Sequence, residues 1–466
     1  MRHALRLSLL ASVFVLNASA DDLAKLFNNG KVSGQFREFS ISREVDDTRP
    51  VAGNDYTRKA NTIGGYIKYE TGAWNGLSLG AAAYGTIGVS LNGSDRSFAT
   101  SNVSNRELDP TILGANKQND IYLGEAYPQY KNQNTTFKGG RQKLDTPMAG
   151  SDDARMLPNL FEAYVISNTD VKDTTLIAAQ VTKFAAGTFA NAYNFTSGTS
   201  GQALALTSGY SGVTNATDNV GQFTNMGQYA IGKNTDGVTV AAAVYTGIKG
   251  LKLQVWDYYA HDILNAVYGE ANYGWSYAST VAPYVAAQYI REDNVGADYA
   301  GKVKSDFMAA KVGTKVANFD IYGAISQNSK DSDTNNATRG GTISPWGGMP
   351  AYTQGMVTRH QFMAGTDALK FSGTYDWKTF GVNLTTGAYY AQFKMDPLNG
   401  YSAGESWTAK ESGFDIIFVP ESVKKLQLRL RANYTNDFYD RTIDATATKN
   451  GAVSWTEYRF IANYNF

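Results

Sequence analysis

Apolar and polar side chains trade places at every second position in segment after segment of this chain. In 77–84, Leu77, Leu79, Ala81 and Ala83 alternate with Ser78, Gly80, Ala82 and Tyr84. In 426–433, Leu426, Leu428 and Leu430 alternate with Gln427, Arg429, Arg431 and Asn433. The last residues do the same, with Tyr458, Phe460, Ala462, Tyr464 and Phe466 on one face and Glu457, Arg459, Ile461, Asn463 and Asn465 on the other. Period two is the signature of a strand whose faces meet different surroundings. Eighteen such segments run from end to end without a domain break: 31–43, 61–71, 77–91, 119–130, 134–144, 161–169, 174–187, 237–247, 251–262, 264–275, 283–294, 304–316, 319–330, 369–378, 380–394, 409–420, 426–437 and 455–466. Their lengths suit a tilted strand crossing the hydrocarbon of a bilayer, which takes about ten residues.

The connections alternate between short and long. Turn signals sit at Trp74-Asn75-Gly76, 168–173, Ile248-Lys249-Gly250, Ala317-Asn318 and 422–425. Between them lie long stretches rich in Gly, Ser, Asn and Thr, notably 188–226, 331–367 and 438–454. A soluble domain rarely carries such loops, whereas outer membrane barrels combine tight periplasmic turns with large outer loops. The prolines are expected in loops or at strand ends, because they lack a ladder donor. In 134–144 the pattern leaves a choice open: Phe137 shares a face with Arg141, so either a bulge separates them or Phe137 faces the inside.

Composition and the amino terminus sharpen this picture. Residues 1–20 hold Arg2, Arg6, the apolar run Leu7–Leu16 and Ala18-Ser19-Ala20, the pattern of a cleaved export signal, which leaves 21–466 as one domain. Removing the signal takes the basic residues from 42 to 40 against 42 acids, a net charge of −2 that argues against nucleic acid as a partner. No other stretch is apolar enough for a spanning helix, so after export only a closed sheet could cross a bilayer. Cysteine is absent, while 30 Tyr and 22 Phe make the chain unusually aromatic, as interfacial girdles require. The fold expected is an all-β, antiparallel, up-and-down transmembrane barrel of about 18 strands.

Catalytic chemistry finds little footing. The histidines are His3, His261 and His360. His261-Asp262 could belong to a hydrolase triad, but it reads better as a rim histidine beside a solvated acid. Asp331-Ser332-Asp333-Thr334-Asn335-Asn336 opens like a calcium loop yet has Asn336 where the tight-turn glycine belongs and Thr342 where the bidentate Glu belongs. It is expected to be a solvated loop, and no cofactor or metal is expected.

The most distinctive stretch is Gly139-Gly140-Arg141-Gln142, then Leu144-Asp145-Thr146-Pro147, then Asp153-Ala154-Arg155-Met156-Leu157-Pro158 and Phe161-Glu162. It starts as a strand and breaks into a loop with two prolines and paired charges. Taken alone, it is either an outer loop with a local Arg–Asp network or, as the third outer loop, a segment folded into the pore. These motifs, with Leu426–Arg431 and Glu457-Tyr458-Arg459-Phe460-Ile461, resemble the OprD family of outer membrane porins, the substrate-specific carboxylate channels. The resemblance implies a pore narrowed by its third outer loop, including Asp145, Asp152, Asp153 and Arg155. It also implies a ladder of basic residues, here Arg141, Arg429, Arg431 and Arg459, with Arg37 added by parity. Guanidinium groups suit that task, since they stay charged and bind carboxylates bidentately. The loop acids would meet an ammonium group or fix Arg155, which suits zwitterions such as amino acids.

Function is thus expected to be passive diffusion of small hydrophilic solutes across the outer membrane of a Gram-negative cell, with no enzymatic activity. A structural or adhesive barrel whose surface loops bind a partner is the alternative. Expected partners are the solutes, outer membrane lipid and lipopolysaccharide, and the barrel assembly machinery during insertion, with the protein a monomer or homotrimer.

Overall fold

The computed structural model describes residues 25–48, 55–89, 112, 119–188, 220–348, 350–399, 404–441 and 451–466. The segment expected to be an export signal, and most of 188–226 and 438–454, lie outside them. The strands are β1 (Lys31–Asp47), β2 (Tyr56–Glu70), β3 (Leu77–Gly88), β4 (Asp120–Asn132), β5 (Thr135–Gln142), β6 (Leu160–Asn168) and β7 (Thr174–Ala185). A two-residue β8 (Thr224–Asn225) and a short helix, Met226–Ile231, precede β9 (Val238–Tyr245). Then come β10 (Leu251–Ala260), β11 (Leu264–Gly274), β12 (Val281–Asn294), β13 (Lys304–Val316) and β14 (Phe319–Asn328). The chain closes with β15 (Asp367–Asp376), β16 (Leu384–Lys394), β17 (Thr408–Phe418), β18 (Leu426–Arg441) and β19 (Gly451–Asn465).

Apart from β8, every strand pairs antiparallel with its sequence neighbours, and β7 pairs with β9. The sheet then closes on itself: β1 pairs with β19 from Gln35↔Asn465 to Asp47↔Val453. Gly34 and Phe466 exchange both backbone bonds at 3.1 Å. Closure leaves no edge among the eighteen spanning strands, the condition for crossing lipid. All eighteen expected segments are strands. The ends differ where the alternation continues past the hydrocarbon: β1 runs to Asp47, β2 begins at Tyr56, and β18 and β19 extend to Arg441 and from Gly451.

Polarity is inverted relative to a soluble protein. Ile121 (86% exposed), Val312 (63%) and Phe371 (56%) cover the outside, while Arg43, Glu292, Glu411 and Glu457 are fully buried inside. Lipid is the solvent that makes this arrangement stable. On the side of the barrel where β1 begins and β19 ends, connections are tight. Asn75 and Gly76 have φ of 48° and 86° and Ala317 has 49°, the left-handed conformation that two-residue hairpins demand. The opposite side carries the long connections, among them the third (143–159), fourth (186–237) and seventh (329–366).

Two local details correct the proline expectation. Pro283 is the third residue of β12, and Pro128 lies inside β4 rather than in a loop. The β4–β5 ladder lapses between Ala126↔Arg141 and Gln129↔Lys138, so the donor Pro128 lacks falls where none is used. Gly140, with φ of 119°, stands in the same gap.

Candidate functional site

The third loop turns inward at once. Asp145 and Gly150 form an isolated bridge, Thr146 Oγ1 donates to the Ala149 carbonyl at 2.7 Å, and the Asp145 carboxylate accepts from the Ser151 hydroxyl. At the strand before it, Gln142 Nε2 donates to the Ala163 carbonyl on β6 at 2.9 Å, which fixes where the strand ends. Arg37 on β1 then holds the loop to the wall. Its guanidinium donates to Asp153 Oδ1 at 2.7 Å, to the Arg155 carbonyl at 2.6 Å and to Asn463 Oδ1 at 2.8 Å. Thr188 Oγ1 accepts from the Met156 and Leu157 amides and secures the far end.

A second loop, the seventh, also lies inside the barrel, which the alternation gave no reason to expect. Gly150 N–H donates to the Trp346 carbonyl at 3.2 Å, Ser344 Oγ donates to the Met148 carbonyl at 2.9 Å, and Arg359 pairs with Asp152 at 3.2 Å. Trp346 Nε1 reaches the Met226 carbonyl at 3.1 Å and so joins the fourth loop to the other two. On the wall, Glu411 of β17 accepts from three successive amides, Met356 (2.5 Å), Val357 (3.2 Å) and Thr358 (2.7 Å). A Cβ at Gly355 would stand 2.7 Å from the Glu411 carboxylate, so a larger residue there would push that carboxylate aside. The sequence did hold a sign of this: Trp346, Phe362 and Met363 are buried, and such residues are poorly placed in a solvated loop.

Beside the loops, the wall from β18 through β19 and β1 to β2 is basic. Arg431 stands directly opposite Arg459, and Arg43 opposite both Glu457 and Arg58. Glu457 is the hub: its oxygens accept from Arg43 Nε at 2.6 Å, Arg459 Nε at 2.5 Å and Asn433 Nδ2 at 2.9 Å. One row away, Asp415 accepts from Arg429 Nε at 2.8 Å and lies 3.3 Å from Arg431 Nε, an ion pair without a hydrogen bond. Arg37, Arg43 and Arg459 are buried, whereas the Arg429 and Arg431 side chains remain 29% and 18% exposed.

The expected residues therefore divide. Arg37, Arg429, Arg431, Arg459, Asp153 and Arg155 come together around one side of the constriction. Asp152 pairs with Arg359, Asp153 with Arg37, and Asp145 accepts from the Ser151 hydroxyl. The structure does not bring Arg141 to this wall. It follows Phe137, which is 38% exposed, along the face of β5 opposite Lys138. Its guanidinium donates to the Leu123 carbonyl at 3.3 Å and covers the Phe223 ring at 4.4 Å. Lys138 takes the inward position instead, with Lys68, Lys143, Arg37, Asp145 and Asp153 around a cavity of about 250 Å³. Sequence reasoning missed Arg43 and Arg58. Arg43 shares the face of Arg37, so alternation alone would have found it, while Arg58 falls before the expected start of its strand.

The two weaker chemical candidates have structural roles. His261 Nε2 meets Thr239 Oγ1 at 2.9 Å, while Asp262 turns away to accept from the Ala297 amide at 3.0 Å, so the pair forms no relay. Asp331 and Asp333 accept from backbone amides two residues on, at 2.9 Å each, as turn-formers do.

A closed barrel of eighteen spanning strands, greased outside and charged within, whose lumen is narrowed by its own outer loops, is an outer membrane porin: a channel and not an enzyme fold. The chain belongs to the OprD family, for residues 25–466 match the family of outer membrane porins of that name. Solved structures agree in fold. Pseudomonas aeruginosa OccK9 (OpdG) is 17% identical with a TM-score of 0.72, and OpdK from the same organism, solved with vanillate, is 14% identical with a TM-score of 0.69. A BenF-like porin from Pseudomonas fluorescens Pf-5 is 13% identical with a TM-score of 0.71. In each case 95% of this chain and 99% of the other are covered. No curated protein matches the chain in sequence.

Proposed function

We propose that this porin passes small carboxylate-bearing solutes, with Arg429 and Arg431 as the rungs a solute touches and Arg37, Arg43 and Arg459 as the frame behind them. The observation that carries this is charge sharing: Arg429 and Arg431, both partly exposed, have one carboxylate between them, Asp415. That leaves a positive station in a water-filled lumen, where a carboxylate can replace hydration with a guanidinium fork. Because Asp415 already holds the Arg429 fork and offsets part of the Arg431 charge, the station attracts without trapping, as conduction requires. Two similar Pseudomonas aeruginosa porins, OpdK and OccK2 (OpdF), were solved with vanillate and with glucuronate, both carboxylates. Amino acids fit less directly, since Asp152 and Asp153 are already paired with arginines.

The test is uptake into liposomes holding the purified protein, using matched pairs such as gluconate and glucose. Gluconate should enter several times faster. Equal rates, or faster entry of the neutral sugar, would show a general pore without the proposed preference.

A further inference from the structure

Away from the arginines, the lumenal wall of β12 to β16 carries lysines set among tyrosines. The register places Tyr284, Gly313, Tyr322, Ser372 and Tyr389 in one transverse row, and Lys311, Ala324 and Lys370 in the adjacent row. The Tyr284 ring lies over Gly313, where a Cβ would come within 2.4 Å of it. The two amines bracket the same ring: Lys311 Nζ is 5.5 Å and Lys370 Nζ 5.9 Å from the centre of Tyr322. Tyr352 of the seventh loop covers Lys311 at 4.5 Å, and Tyr389 covers Lys370 at 4.9 Å.

Ring faces soften the cost of these charges without cancelling them. Among the described residues, no carboxylate pairs with either amine, and the only hydrogen bond formed by one of them is from Lys370 Nζ to the Gln354 carbonyl at 2.7 Å. The neighbouring acids are occupied. Asp320 takes the Tyr284 hydroxyl at 2.6 Å, Glu270 takes the Tyr268 hydroxyl at 2.7 Å, and Glu411 holds the seventh loop. Two half-satisfied cations, about 10 Å apart across two strand spacings, thus flank an apolar surface.

We infer that this shelf is a second anion site, distinct from the arginine wall, that takes a short aliphatic dicarboxylate, with one carboxylate on Lys311, the other on Lys370 and the methylenes over Tyr322. The inference deepens the carboxylate reading above and rests on it. A monocarboxylate can satisfy only one amine, so the site discriminates by the number and spacing of charges. The row of Tyr389 continues through Gly413 and Asn433 to Glu457 and Arg43, which puts the shelf beside the main path.

The experiment measures block of acetate current through single channels by succinate and by propionate. Succinate should half-block at a much lower concentration than propionate. Lys311→Gln and Lys370→Gln should each raise the half-blocking concentration of succinate about tenfold and shift propionate far less. The double variant should be no worse than either single one, because bridging needs both ends. Heat-dependent electrophoretic mobility verifies folding, and Lys311→Arg with Lys370→Arg should keep the preference. Equal shifts for succinate and propionate, or additive effects of the two lysines, overturn the shelf while leaving the porin reading intact. A wild-type channel that carries no acetate overturns both.

Discussion

Replacing Glu457 by Gln should destabilise the barrel by about 3–5 kcal/mol, the cost of breaking a buried ion pair from one side. Glu457 has no exposed surface, and Arg43 and Arg459, which flank it, have almost none. The substitution removes the charge that both guanidinium groups face and leaves them in a place water does not reach. The damage falls on the seam, since Glu457 is on β19 and Arg43 on β1, the two strands whose pairing closes the sheet. Unfolding in guanidinium chloride, followed by loss of the heat-modifiable folded band, should therefore shift to lower denaturant. Glu421→Gln, at a turn outside the bilayer, should leave the midpoint where it was. An unchanged midpoint for Glu457→Gln would mean that the arginines find other partners and that the hub is dispensable.

The second large effect concerns the gate. Glu411→Ala should raise single-channel conductance severalfold and add current noise. Three consecutive amides of the seventh loop end on that carboxylate, and each buried donor left without an acceptor costs about 1–3 kcal/mol. The other ties of the loop, among them Ser344 to Met148, Trp346 to Met226, Ile343 to Glu292 and Asn328 to Phe362, hold its flanks, so the segment around 355–358 is the part that comes loose. Acid should loosen the same loop. His360 packs between Phe393, Trp407 and Phe438, and burial pushes its imidazole down from 6.5 to about 4, against the pull of the Phe438 carbonyl at 2.6 Å. A depressed value means the docked loop holds neutral histidine. Docking is fully stable above pH 6.5 and weakens as pH falls from 6.5 towards 4, by about 3 kcal/mol over that window. Noise in the wild type should rise between pH 6.5 and 4, and His360→Gln should flatten that rise. Conductance indifferent to Glu411→Ala would contradict the gate.

These sites show what could be read from the chain and what could not. Strands such as Leu426–Arg441 were legible because lipid and water enforce alternation residue by residue. Their ends were not, because β1 and β19 keep pairing beyond the bilayer, where nothing forces apolar residues outward. The third loop announced itself through prolines and paired charges. The seventh was marked only by its large apolar residues Trp346, Phe362 and Met363, since its position is fixed by partners far away in sequence, with Glu411 meeting Met356 and Met148 meeting Ser344. Arg141 misled for a related reason. Its motif pointed inward, while the face it shares with Phe137, across β5 from Lys138, turned it away from the wall. Parity within a strand puts Arg37 and Arg43 on one face, and both are buried inside the barrel.

Selection of carboxylates by Arg429 and Arg431 is the property on which the proposed function stands. Its most direct test is the permeability ratio of gluconate to glucose in liposomes with the Arg429→Gln, Arg431→Gln double variant. That ratio should fall about tenfold, with glucose entry unchanged. A ratio that stays at the wild-type value, or a loss shared equally by both solutes, would contradict that selection.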